Sequence, residues 1–251
     1  MTAYFHTGGQ QPDSGPTVVF VHGAGMDHTV WRFQTRWLAN RDVAVFAPDL
    51  PGHGLTPGSP PGSIEEAAAW LADSLEDRPV TLIGHSMGSL VALECAAIGA
   101  LRLDRMVLVS TAPRMRVHPA LLEAARSDLP TAARLIAGWS FHRSHRGGHP
   151  EPGTWQKGST IRLVEASAPG ALATDLAACM AYDAAAVAPK VSVTTLVVTG
   201  ADDRMTPAGG SAELAALIPD AELSVVEGTG HEPMTQAPHR FNSILAEFLV
   251  R

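Results

Sequence analysis

Val80-Thr-Leu-Ile-Gly84-His-Ser86-Met-Gly88-Ser-Leu90-Val-Ala-Leu-Glu-Cys-Ala-Ala-Ile98 joins two apolar runs of different length through a turn that has glycine two residues to either side of a serine. Val80 to Ile83 has the length and branching of a buried strand, and Leu90 to Ile98 reads as an apolar helix. Gly84-His-Ser86-Met-Gly88 fits the G-x-S-x-G pattern, and the strand before it and the helix after it are the context that pattern requires. So tight a turn forces Ser86 into a strained backbone, which leaves room only for small residues at 84 and 88. The strain points the hydroxyl out of the top of a sheet, where the following helix presents its N-terminus to developing negative charge. Ser86 is therefore the candidate nucleophile. An ordinary glycine-rich turn is the plainer alternative.

Upstream, Thr17-Val-Val-Phe-Val21 and Val43-Ala-Val-Phe-Ala47 are continuous apolar runs, as strands buried on both faces should be. The first ends in His22-Gly-Ala-Gly25 and the second in the irregular loop Pro48-Asp-Leu-Pro-Gly-His-Gly54. A helix is predicted from Val30 to Ala39. A second opens at Ser63-Ile-Glu-Glu66, a capping box, and runs to about Leu75. Downstream, Met106-Val-Leu-Val109 is a fourth strand. Strand and helix alternate again at Thr195-Leu-Val-Val198, at Ser211 to Ile218, at Glu222-Leu-Ser-Val-Val226 and from Pro238 to Leu249. That alternation predicts an α/β protein with a mostly parallel, doubly wound sheet. Residues 114–189 carry helical stretches but no strong strand, too long a connection to be ordinary. They read as a helical cap inserted over the carboxyl ends of the strands, leaving residues 1–113 and 190–251 as the core domain.

The composition narrows the function classes. The 251 residues are 45% hydrophobic and 17% charged, which excludes disorder. Eighteen basic against 25 acidic residues leave a net charge of −7, so neither nucleic acid nor an anionic membrane surface is an expected partner. No apolar run approaches the ~20 residues of a membrane span. The start lacks the basic and apolar segments of a signal peptide, so a cytoplasmic location is expected. Cys95 and Cys179 read as small buried thiols. Monomer and homodimer are both compatible with the residues.

A serine hydroxyl needs an adjacent base, and the base an orienting carboxylate. The base should follow the last strand, where His231 stands in Glu227-Gly-Thr-Gly-His231. The carboxylate should follow the strand before it, where Asp202 and Asp203 are both candidates. His22, His53 and His85 lie near strand tips and are assigned to loop support. His142, His145 and His149 cluster in the insertion but match no structural zinc spacing, so no metal and no cofactor is expected. Acyl transfer also needs N–H donors for the carbonyl oxygen. The N–H of Met87 should be one, and the N–H of Ala24, between Gly23 and Gly25, the other.

With these pieces assembled, the chain resembles the α/β-hydrolase fold superfamily. The resemblance rests on His22-Gly-Ala-Gly25, Asp49-Leu-Pro-Gly-His-Gly54, Gly84-His-Ser-Met-Gly88, Gly200-Ala-Asp-Asp-Arg204 with Pro207, and Gly230-His231, and it spans residues 17–250. It implies that Asp203, third after the glycine of the late strand, is the acid rather than Asp202. It also implies that the insertion is the superfamily's helical cap. Members often begin with a longer antiparallel hairpin, so here an early strand should be missing or very short.

Serine at position 86 argues against the branches of this superfamily that use a carboxylate nucleophile and points to an acyl-enzyme. The expected function is a carboxylesterase acting on a small or medium, largely apolar ester, with a small-molecule ester or lactone as partner. The alternative enzyme is a C–C bond hydrolase or lactonase for aromatic-degradation products. Those usually need basic residues, which Arg114, Arg116, Arg143 and Arg146 could supply, the chain having only Lys157 and Lys190 as lysines. The non-catalytic alternative is a small-molecule receptor of the same fold.

Overall fold

In the computed structural model the described residues are 3–9, 15–75, 78–141 and 155–250. The seven strands are β1 (Phe5–His6), β2 (Thr17–Val21), β3 (Ala44–Pro48), β4 (Val80–His85), β5 (Leu103–Val109), β6 (Thr195–Gly200) and β7 (Ala221–Val226). They form one sheet in the order β1-β3-β2-β4-β5-β6-β7. Only β1 is antiparallel, pairing Phe5 with Pro48 and His6 with Ala47; the remaining pairings are parallel. The early strand is thus present and two residues long.

The unbroken apolar runs are explained by cover on both faces. Val19, Val21 and Leu82 point to one side, under α2 (Ile64–Ser74) and α3 (Met87–Ile98), where Leu71, Leu90 and Leu93 complete a core. Their neighbours Val18, Phe20 and Ile83 point to the other side, under α1 (Arg32–Ala39) and α11 (Pro238–Leu249), packing with Leu38, Phe241 and Leu245. Alternation of period two within a strand therefore feeds two apolar layers. The Ser63 side chain caps α2 by accepting the Glu66 N–H at 3.2 Å, and the Glu66 carboxylate accepts from Gly62 N–H at 2.8 Å. Helix α3 begins at Met87, three residues ahead of the apolar run, because the chain turns from strand to helix on Ser86 alone.

Between β5 and β6 come α4 (Pro119–Ser127), α5 (Leu129–Ser140), α6 (Gln156–Glu165), α7 (Ala171–Ala181) and α8 (Ala184–Val187). They enclose a third apolar cluster, including Leu121, Ile136, Val164, Leu172 and Leu176, against which Ala24 and Met205 pack. Ala24 follows β2 and Met205 follows β6, so this cluster borders the loops at the carboxyl ends of those two strands. After β6 the chain continues through α9 (Ala208–Leu217), β7 and a one-turn α10 (Pro233–Gln236) into α11.

The strand order reverses around β2: the chain steps outward to β3, then crosses back to β4 on the other side. Ligands of open α/β sheets bind in the crevice such a reversal leaves at the strands' carboxyl ends. The loop Gly23–Gly25 and Ser86 leave the sheet at that crevice. Among the described residues no single helix is long and apolar enough to cross a membrane.

Candidate active site

Ser86 has φ 54° and ψ −114°, a conformation that side chains rarely adopt. It persists because the surroundings over-determine it. The Ser86 N–H donates to the Val109 carbonyl at 2.8 Å, and its own carbonyl accepts from Ser89 N–H at 3.0 Å. The Ser89 hydroxyl donates to Gly84 O at 2.8 Å and accepts from Val109 N–H at 2.9 Å. A Cβ on Gly84 would collide with the Gly88 carbonyl, and one on Gly88 with the Val21 carbonyl. The two glycines are thus demanded by close packing of three chain segments.

Asp203 and His231 meet in the loops after β6 and β7. His231 Nδ1 lies 2.8 Å from Asp203 Oδ2, and both side chains are almost wholly buried. The carboxylate can only accept, so Nδ1 carries the proton and Nε2 is left as the basic nitrogen. Three further donors hold Asp203: the N–H of Met205 at 2.8 Å, the N–H of Thr206 at 2.9 Å and the Thr206 hydroxyl at 2.9 Å. Burial opposes the charge on Asp203, but the His231 charge and these bonds outweigh it and hold the carboxyl below its ordinary value. Burial likewise opposes protonation of His231, and the charge and hydrogen bond of Asp203 outweigh it, so its pKa is raised. Asp202 is exposed. The pair that forms is therefore Asp203–His231.

His85 lies beneath this pair. It donates from Nε2 to the His231 carbonyl at 2.9 Å, and the two rings are 4.9 Å apart. Burial, then the His231 charge, push its pKa down to about 3, so it stays neutral and puts no second cation under the base. Glu232, next in sequence, is buried, and burial raises its pKa against the hydroxyls of Thr160 and Thr235 that it accepts.

Ala24, Ser86 and His231 line one cavity. Its apolar wall comes largely from the insertion and its approaches: Met115, Val117, Leu121, Trp139 and Leu176, with Met205 from the core. Cys179 also borders it, its thiol driven far up in pKa by burial and so unreactive. Among the described residues no carboxyl group reaches the lining, and the guanidiniums of Arg116 and Arg204 are its permanent charges. Met87 opens α3, and the N–H groups of a helix's first turn lack intrahelical partners.

The supporting histidines fall where loop roles require. His22 Nε2 accepts the Leu50 N–H at 3.1 Å, and its Nδ1 donates to Gly23 O at 2.9 Å. His53 pairs with Asp175 at 2.8 Å. Residues 142–150, with His142, His145, His149, Arg143 and Arg146, lie outside the described residues. Among the described residues Asp27, His28 and Asp49 approach closely enough to hold a cation. The Asp49 carboxylate is already engaged by the N–H groups of His28 and Leu55 and by the His28 ring, which leaves it a loop-bracing role.

Thr206, Ser89 and Asp175 were not singled out by the sequence. Thr206 stands between Arg204 and Pro207, and a hydroxyl three residues past the Asp203 carboxylate was the available signal. Asp175 is a lone acid in an Ala-rich helix, and a carboxylate on an otherwise apolar helix face was its signal.

The model of the alpha/beta hydrolase family matches residues 18–244. Among curated proteins, the chain is 30% identical to a pimeloyl-[acyl-carrier protein] methyl ester esterase from Chromobacterium violaceum, over 99% of this chain and 98% of that one. Among solved structures it superposes on a thermophilic esterase from Thermogutta terrifontis with TM-score 0.82 and 25% identity, covering 98% of this chain and 92% of the other. An enol-lactonase from Burkholderia xenovorans superposes with TM-score 0.89 at 22% identity, covering 99% and 96%, a likeness of fold. With a family match over nine-tenths of its length and the strand order described above, the chain belongs to the alpha/beta hydrolase family.

Proposed function

We propose that this protein is a serine hydrolase that cleaves a small or medium, largely apolar carboxylic ester through an acyl-enzyme, with residues 114–189 acting as a cap that shapes the substrate pocket. The observation that carries the reading is the buried Asp203–His231 pair opening, with strained Ser86, onto one apolar cavity. In the first step His231 Nε2 takes the Ser86 hydroxyl proton as Oγ bonds to the ester carbonyl carbon. The carbonyl electrons move to oxygen, and the N–H groups of Met87 and Ala24 stabilise that oxyanion. As the tetrahedral intermediate collapses, the bond to the alkoxy oxygen breaks and His231 returns the proton to the departing alcohol. Water then adds to the acyl carbon, giving its proton to His231, and collapse releases the acid and restores the Ser86 hydroxyl. The methyl ester esterase and the thermophilic esterase among its relatives support ester cleavage as the reaction.

The test is turnover of p-nitrophenyl acetate and butyrate by wild type and Ser86→Ala. Wild-type turnover with the variant reduced to the buffer rate is expected. Rates no higher than buffer in both, with small-molecule binding intact, would assign a receptor instead.

A second reading is favoured by Arg116 and Arg204. In a chain of net charge −7, the permanent charges that the described residues bring to the cavity lining are two guanidiniums. They suit an ester or lactone that carries a carboxylate. Comparing a dicarboxylate's monomethyl and dimethyl esters separates the readings: a higher kcat/KM for the monoester supports the anionic substrate, and preference for the diester supports the neutral one.

A further inference from the structure

Ala24 N–H, assigned above to the oxyanion, sits in a loop whose neighbouring peptides are held by groups outside it. The peptide that bears this N–H has the Gly23 carbonyl at its other end. That carbonyl accepts from Met26 N–H at 3.2 Å and from His22 Nδ1 at 2.9 Å. A trans peptide is planar, so fixing its C=O also fixes the direction of its N–H. The following peptide is fixed from the insertion: Gly25 N–H donates to Asp175 Oδ2 of α7 at 2.8 Å. Gly25 has φ 64°, and a Cβ there would crowd Leu172 Cδ1 at 2.9 Å, so α7 lies directly against the loop.

Asp175 has a second partner. His53 Nε2 lies 2.8 Å from the same oxygen, with both side chains fully buried. His53 Nδ1 lies 2.9 Å from the Pro51 carbonyl, which can only accept. Both ring nitrogens therefore face acceptors, the arrangement of an imidazolium. Burial opposes that charge, and the hydrogen bond and charge of Asp175 overcome it, raising the His53 pKa. The His53 ring in turn packs 4.9 Å from His22, whose pKa burial and the His53 charge push down to about 4. Neutral His22 can then both donate to Gly23 and accept from Leu50.

We propose that Asp175 is a positioning residue for the oxyanion hole: through Gly25 directly, and through His53 and His22 onto Gly23, helix α7 of the insertion sets the direction of the Ala24 N–H. This rests on the proposed roles of Ser86 and Ala24. It makes the insertion part of the catalytic geometry as well as the wall of the pocket. An amide at 175 keeps an acceptor for Gly25 but loses the charge that holds His53, so Asp175→Asn should sit between wild type and Asp175→Ala.

The experiment compares wild type, Asp175→Ala, Asp175→Asn, Ser86→Ala and Tyr182→Phe on p-nitrophenyl butyrate. It adds inhibition by an alkyl trifluoromethyl ketone, which Ser86 would convert to a tetrahedral oxyanion adduct. Tyr182→Phe removes another buried bond between insertion and core, Tyr182 OH to Glu94 at 2.7 Å, and controls for loosened packing. Asp175→Ala should lower kcat by about 10- to 100-fold, short of the 10²–10³ seen when such a donor is removed outright. Its KM should stay within about twofold, and ketone inhibition should weaken by the same factor as kcat/KM. Tyr182→Phe should keep wild-type kcat. The inference is overturned if Ser86→Ala abolishes turnover while Asp175→Ala keeps kcat and ketone affinity, or if Tyr182→Phe loses as much as Asp175→Ala. If Ser86→Ala retains turnover, the proposed function fails instead. Should Asp175→Ala not fold, Asp175→Asn decides by the same readouts.

Discussion

At the scale of single residues, two adjacent aspartates have opposite environments. Asp203 is buried, takes three donors besides His231 and is held ionised, whereas Asp202 faces solvent. Only a carboxylate against Nδ1 keeps the imidazole in the tautomer that leaves Nε2 basic. Asp203→Asn is therefore expected to lower kcat on p-nitrophenyl butyrate by roughly 10³–10⁴-fold, as loss of the orienting acid does elsewhere. Asp202→Asn should stay within a few-fold; equal losses would remove Asp203 from its assignment. The pH–rate profile follows from the same pair. His231 must be neutral to act as base, and Asp203 raises its pKa. The acidic limb should therefore fall above the ordinary imidazole value of about 6.5, and a flat profile from pH 5 to 8 would contradict His231 as base.

At the scale of elements, the β4–α3 turn leaves no room for a side chain at Gly84 or Gly88. Its glycines are needed because other backbone occupies the space of a side chain. Gly84→Ala drives a methyl into the Gly88 carbonyl, and backbone there cannot yield without moving Ser86. The expected result is lost turnover with destabilisation of about 1–3 kcal/mol or more, read by urea unfolding. Gly138, within α5, makes the contrast: among the described residues a Cβ there meets nothing within 4 Å. Gly138→Ala should stabilise by about 0.5–1 kcal/mol through helix propensity alone. If both substitutions behave alike, the steric account of the turn is wrong.

At the scale of the whole molecule, acid stability is set by histidines the fold keeps neutral. Burial pushes His22 to about 4 and His85 to about 3, against an unfolded value near 6.5. Below pH 6.5 the unfolded chain takes up protons these two positions refuse, so stability falls as pH falls from 6.5 toward 4. Each contributes a slope of up to about 1.4 kcal/mol per pH unit. His28, His53 and His231, whose pKa values are raised, act elsewhere. Their stabilisation is complete below 6.5 and is lost as pH rises through their folded values. Unfolding midpoints measured between pH 6.5 and 4.5 should therefore decline. His85→Gln, which keeps a donor toward the His231 carbonyl but cannot titrate, should flatten the decline; an unchanged slope would sink this account.

Much of the fold was legible in local pattern. Continuous apolar runs marked the buried strands, the capping box marked α2, and glycine spacing marked Ser86. These features are local: a strand covered on both faces must be apolar throughout, and a strand-to-helix turn on one residue must be flanked by glycine. The two-residue β1 has no strand pattern of its own, because its pairing with Pro48 and Ala47 is made across the sheet. The order of strands, and hence the crevice that brings residues 24, 86, 203 and 231 within one locale, depends on pairings between distant segments. So does the choice of Asp203 over its neighbour, which the residues alone left open and which burial against His231 made. The Asp175–His53–Gly25 contact was decided wholly by tertiary packing. Its partners lie 122 and 150 residues from Asp175, and no local signal in an Ala-rich helix says which loop its one carboxylate will meet.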